Sequence, residues 1–130
     1  MDQLPQMKIL IVEDDLIIRM ITKKYLDRLG YIVDCEENGR KALAYLETTI
    51  QFPDLILTDI MMPEMNGEDF LKNIREQEKY DNIPVFAITA MAEEMLERKN
   101  SGFEQIIQKP FSLPDLAISI SNIFEKKYPV

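Results

Sequence analysis

Short apolar runs alternate along this chain with longer stretches whose apolar residues recur at helical spacing. The runs fall at 8–12, 31–36, 55–58, 85–89 and 103–108. Such brief, β-branched-rich runs bounded by turn residues predict strands, and the first, third and fourth are apolar enough to be buried on both faces. The run at 31–36 is more polar and predicts an edge. Between them, Ile17, Ile21, Tyr25 and Leu29 form an i, i+4 stripe that predicts a helix packed through those residues and stopped by Gly30. Asn38-Gly39 turns the chain into a second helix expected to carry Ala42, Leu43, Leu46 and Ile50 inward, and Phe52-Pro53-Asp54 breaks it. A third helix presents Phe70, Leu71 and Ile74. A fourth, over about 92–100, is so rich in charge that it is expected to be the least firmly held. The last has Pro114 near its start and Leu116, Ile120, Ile123 and Phe124 on one stripe.

Five β–α repeats with no linker or low-complexity segment predict one α/β domain over 8–128, preceded by a loose tail at 1–7. Alternation at this length requires right-handed crossovers, hence a doubly wound parallel sheet with helices on both faces. For five strands the expected arrangement is a flavodoxin-like (βα)5 sheet of order 2-1-3-4-5, with the switch point between strands 1 and 3.

Bulk composition narrows the function classes. The 130 residues are 46% hydrophobic and 29% charged, which is globular composition. No apolar run approaches a bilayer span, and no signal peptide opens the chain, so a cytoplasmic protein is expected. A net charge of −8 argues against direct nucleic-acid binding. The single cysteine, Cys35, excludes an internal disulfide framework and is expected to be a buried, inert thiol. There is no histidine, which excludes histidine zinc sites, Ser-His-Asp triads and imidazole acid–base catalysis. Any phosphohistidine chemistry must bring its histidine from a partner.

Chemistry concentrates at the predicted carboxyl ends of the strands. The first ends on Glu13, Asp14 and Asp15; the third ends on Asp59, before the obligatory loop containing Pro63 and Gly67; Thr89 ends the fourth and Lys109 the fifth. Individually these residues have plain roles as helix caps, strand residues or surface charges. Together they put acids, a hydroxyl and an ammonium at one end of one sheet. Like charges 4 Å apart at an effective dielectric near 20 repel by about 4 kcal/mol, so the acids either hold protons or recruit a cation. Oxygen ligands without histidine or thiolate favour Mg²⁺, or Mn²⁺. A hard cation beside Asp59, with Lys109 and the Thr89 hydroxyl on phosphoryl oxygens, suits attack of a carboxylate on phosphorus and an aspartyl-phosphate on Asp59.

The motifs Ile9-Leu10-Ile11-Val12-Glu13-Asp14-Asp15, Asp59-Ile60-Met61-Met62-Pro63-Glu64-Met65-Asn66-Gly67, Ile88-Thr89-Ala90 and Lys109-Pro110-Phe111 resemble those of receiver domains of bacterial two-component response regulators. The resemblance implies that Asp59 accepts phosphate from the phosphohistidine of a sensor histidine kinase or histidine phosphotransfer protein. It implies direct Mg²⁺ ligation by Asp14, Asp59 and the Met61 backbone carbonyl, with Glu13 acting through water, and a cis Lys109–Pro110 bond. It also implies a phosphorylation-dependent switch rather than a turnover enzyme. Thr89 would move towards the phosphate and pull its loop, so that Thr89, Ala90 and Ile106 are the switch positions. The output face would be made by the 92–100 helix, the fifth strand and the last helix. The partner there would be a protein effector or a second copy in a phosphorylation-linked homodimer.

Three positions depart from the family's pattern. Ile106 stands where a Tyr or Phe usually couples to the threonine, and a branched aliphatic cannot swing a ring. Met61 and Met91 stand where polar residues usually tune dephosphorylation, which points to a long-lived phosphoryl group. With no effector segment after the domain, output is expected through protein binding, or from a receiver of a longer kinase. The rivals are a degenerate receiver that binds partners without phosphorylation, an aspartate phosphatase of the haloacid-dehalogenase type, and a flavodoxin-like FMN carrier. The phosphatase expects an acid where Met61 stands. The FMN carrier expects a hydroxyl- and glycine-rich loop where Glu13-Asp14-Asp15 would repel phosphate.

Overall fold

Residue alternation along the strands builds two cores, one on each face of a single sheet. The structure, a computed structural model, describes residues 6–91 and 102–127. The strands are β1 (Lys8–Val12), β2 (Ile32–Glu36), β3 (Leu55–Asp59), β4 (Val85–Thr89) and β5 (Gln105–Gln108). All pair in parallel in the order β2-β1-β3-β4-β5. The helices are α1 (Leu16–Arg28), α2 (Gly39–Thr48), α3 (Gly67–Arg75) and α4 (Leu113–Lys127), with a 3₁₀ turn at Glu78–Tyr80.

Successive strand residues point to opposite faces. Ile9, Ile11, Leu55, Leu57, Phe86 and Ile88 therefore share one cluster with residues of α1 and α4. Leu10, Val12, Ile56 and Val85 share the other with residues of α2 and α3. The stripes expected of α3 and α4 are the buried ones: Phe70, Leu71 and Ile74, and Leu116, Ile120, Ile123 and Phe124. Among the described residues no helix is long and apolar enough to cross a membrane.

The phase of α1 differs from the sequence expectation. Ile17, Ile21 and Leu29 are exposed, Ile17 by 68% of its surface; Thr22 and Leu26 are buried and Ile18 is half-buried. The helix carries two apolar stripes one residue apart, and the polar Thr22 within the second disguises the inward one. The phase is pinned at the amino end, where the Asp15 side chain accepts from the Ile18 amide at 3.0 Å. In α2, Ala42 and Leu46 are buried and Leu43 half-buried, but Ile50 lies beyond the helix end and is fully exposed. Helix α2 stops at Thr48, before the Phe52-Pro53-Asp54 break, so its last predicted apolar position never enters a helical turn. Strand β5 is shorter than the 103–108 run. The expected helix at 92–100 lies outside the described residues. Cys35 is half-buried on the edge strand, and burial pushes its thiol up to about 11, away from the reactive thiolate.

Candidate functional site

The sheet delivers Val12, Asp59 and Thr89 to one end, and the loops leaving those strands build a shared crevice. Leaving β1, the Glu13 amide donates to the Glu36 carbonyl of the neighbouring strand at 3.1 Å. Glu13 turns inward, 5% exposed, and its Oε2 accepts from the Asp15 amide at 3.1 Å. Asp15 is the helix cap. Glu13 and Asp14 are not caps: with Asp59 they offer carboxylate oxygens that all lie within 4.8 Å of one another.

Asp59 is also 5% exposed, at the last position of β3. Its backbone and that of the next residue are each tied down. The buried Thr58 hydroxyl donates to the Asp59 carbonyl at 2.9 Å. The Gly67 amide donates to the Ile60 carbonyl at 2.9 Å. A Cβ at position 67 would stand 2.5 Å from the Asp59 carbonyl oxygen and 2.8 Å from Ile60 Cδ1, so the loop closes this tightly only over glycine. The left-handed residue of the loop is Glu64, at φ 68°. Asn66 then caps α3 by accepting from the Asp69 amide at 2.8 Å.

Lys109 enters from the far side. Its Nζ lies 2.9 Å from Asp59 Oδ2 and 3.2 Å from Glu13 Oε1, bridging two acids that come from different strands. Its backbone amide continues the sheet to the Thr89 carbonyl, and the Lys109–Pro110 bond is cis. Burial, opposed mainly by the Asp15 amide and by Lys109, pushes the Glu13 carboxyl up to about 7, with the Asp59 charge adding to the rise. For Lys109 burial pulls the other way. The bond and charge of Asp59, and then of Glu13, outweigh it and hold the ammonium above the ordinary lysine range.

Thr89 is buried, and its Oγ1 accepts from the Met91 amide at 3.0 Å. Ala90 is exposed, and its carbonyl accepts from the Gln108 side chain at 3.0 Å. Ile106 is half-buried and packs with Phe103 against Ile60 and Ala87. Ile106 and the Phe103 ring thus pack together in the neighbourhood where the family carries a swinging ring. Met61 and Met91, each two residues beyond the last residue of its strand, are exposed. Two residues at the site escaped sequence reasoning. Gln108 ties the loop after β4 to the loop after β5. Arg19 donates from Nη1 to the Glu13 carbonyl at 2.7 Å. Its signal was present as a cation set among Leu16, Ile17, Ile18, Met20 and Ile21 in the first half of α1.

Against known proteins, the profile of the family described as "Response regulator receiver domain" matches residues 9–121. Chemotaxis protein CheY-3 of Vibrio cholerae is 41% identical over 123 residues, covering 92% of this chain and 93% of that protein. Transcriptional regulatory protein ResD of Bacillus subtilis is 35% identical over 129 residues, covering 97% of this chain but 51% of that protein. The chain thus spans about half of one relative and nearly all of another. Among solved structures, the receiver domain of a Pseudomonas aeruginosa sensor histidine kinase, with a magnesium ion coordinated in its active-site cleft, superposes with a TM-score of 0.80 at 29% identity. The match covers 91% of this chain and 97% of that one.

Proposed function

This chain belongs to the response regulator receiver domain family and is the receiver domain of a two-component signalling protein; from that premise we propose that it is a phosphorylation-driven switch whose acceptor is Asp59. The observation that carries the reading is the Lys109 bridge between Asp59 and Glu13, with an Asp14 oxygen in the same cluster. Three buried or crowded carboxylates against one ammonium are a donor set for a hard divalent cation, Mg²⁺ or Mn²⁺. The Met61 carbonyl would be a further ligand. When bound, such an ion neutralises charge on the transferring group.

The chain's own residues do the rest. An Asp59 carboxylate oxygen attacks phosphorus of a partner's phosphohistidine; the O–P bond forms as the P–N bond breaks, and the electron pair returns to the imidazole. Lys109, already 2.9 Å from that carboxylate, pairs with a phosphoryl oxygen as the charge it faced is transferred. The Thr89 hydroxyl exchanges the Met91 amide for the phosphoryl group, and that exchange moves the loop leading into residues 92–100. The effector, or a second copy of the chain, would read the face that contains β5 and α4, beside the loop leaving β4.

The donor's docking place is the exposed stripe of α1. Leu16, Ile17, Met20 and Ile21 are all more than half exposed. Beside them a groove of about 470 Å³ runs past Ile18 and Thr22 to Lys109 and Phe111. An apolar face continuous with the reacting lysine is suited to a protein phosphodonor. The exposed thioethers of Met61 and Met91 cannot orient an attacking water well, so the phosphoryl group is long-lived; replacing Met91 with Glu speeds its decay, and an unchanged or slower decay contradicts this. The acceptor assignment is tested by incubating the chain with acetyl phosphate and Mg²⁺ and weighing it intact. Wild type gains one PO₃ group and Asp59→Asn none; equal gain in both rejects Asp59.

A further inference from the structure

Arg19 is bonded to the backbone of the acidic loop rather than to its carboxylates. Its amide donates to the Asp15 carbonyl at 2.9 Å within the helix. Its Nη1 reaches back over the turn to the Glu13 carbonyl at 2.7 Å, with the Asp14 carbonyl at 3.5 Å. One residue therefore gathers the carbonyls of three consecutive acids to the helix side of the loop. The Glu13 and Asp14 carboxylates are left to meet Asp59 across it. Other restraints on the loop include the Glu13 amide to Glu36, the Asp15 amide to Glu13 Oε2, the Ile18 amide to Asp15 and Lys109 to Glu13 Oε1.

The guanidinium charge also reaches Glu36 and Glu37, where it is a minor cause beside burial and Lys41. What chiefly governs the Glu13 carboxyl is burial, the Asp15 amide, Asp59 and Lys109. A cation placed to neutralise the pocket would bond the carboxylates, as Lys109 does. Both contacts leave one nitrogen, Nη1, which the planar guanidinium holds in a fixed direction that a freely rotating ammonium does not keep.

We infer that Arg19 is a positioning residue for the divalent-ion site: by clamping the Glu13 and Asp14 carbonyls it holds their carboxylates in the arrangement the ion needs. This rests on the reading of the pocket as a receiver's cation site, and it goes further by giving a role to a residue that touches neither ion nor phosphate. It also makes a prediction of sign. A nearby positive charge by itself weakens cation binding, so its removal should strengthen binding; removal of a clamp weakens it. Groups that orient metal ligands typically matter by about 10- to 100-fold in affinity.

The test is calorimetric titration of Mg²⁺ into metal-free wild type, Arg19→Ala and Arg19→Lys, with circular dichroism melts of each without metal. Arg19→Ala is expected to bind about 10-fold more weakly or worse. Arg19→Lys, which keeps the charge but offers a single ammonium, is expected to fall between it and wild type. If Arg19→Ala does not fold, Arg19→Lys still decides: weaker than wild type supports the clamp, and equal affinity overturns it. Unchanged or tighter binding by Arg19→Ala overturns it as well. A wild-type chain that takes up no Mg²⁺ brings down the cation-site reading, and the clamp with it; wild-type binding with indifferent variants brings down the clamp alone.

Discussion

Glu13 is held by competing demands. Its folded carboxyl is raised from the usual 4.5 to about 7, mainly by burial and against the pull of Lys109, so the metal-free fold keeps its proton to higher pH than the unfolded chain does. By linkage this preference stabilises the protein fully below about pH 4.5 and is lost as the pH rises through about 7, a contribution on the order of 3 kcal/mol. Urea melts of metal-free protein at pH 5 and pH 8 should show wild type losing stability relative to Glu13→Gln by that order; parallel behaviour of the two would show that Glu13 does not titrate there. Since cation binding requires the ionised form, Mg²⁺ affinity should rise over the same interval. Gly67 is a second residue with a measurable duty. A methyl group there meets the carbonyl of the acceptor residue itself, so Gly67→Ala should cost about 1–3 kcal/mol in a denaturant melt. It should also slow phosphorylation by acetyl phosphate; a variant as stable and as quickly modified as wild type would mean that the loop yields freely.

Helix α1 shows where a pattern of apolar spacing stops being informative. Two stripes fit the same helical period, and the richer one, through Ile17 and Ile21, faces solvent, while the buried one is interrupted by Thr22. Periodicity says that a helix exists; its phase comes from the Asp15 cap and from bonds made by Arg19 to the preceding turn. The strands were easier to read, because β1, β3 and β4 are buried along their whole length and a continuous apolar run has no phase to mistake. The outward stripe of α1 has a consequence at this scale. An Ile17→Glu/Ile21→Glu double variant should unfold within about 0.5 kcal/mol of wild type and accept phosphate normally from acetyl phosphate. Transfer from a phosphohistidine protein should fall sharply. Equal losses with both donors would remove α1 as the docking element. Leu26→Ala, by contrast, should cost about 2–5 kcal/mol.

Across the whole molecule, the site is legible because it is assembled by topology. Once alternating elements fix the order β2-β1-β3-β4-β5, the ends of β1 and β3 must be neighbours, and Glu13, Asp14 and Asp59 meet without further instruction. The bridging distances of Lys109 were hidden, since they depend on how the loop after β5 descends. The state of Thr89 was hidden too, its hydroxyl being engaged with the Met91 amide. The molecule as described is a poised acid pocket, with its lysine on the acceptor and its threonine turned to its own loop. The most direct trial of that account is to treat the chain with acetyl phosphate in Mg²⁺ and in chelator, trap the product with borohydride, and map the modified residue by peptide sequencing. The account predicts modification at Asp59 alone, dependent on the cation; labelling at another acid, or equal labelling of Asp59 in chelator, would contradict it.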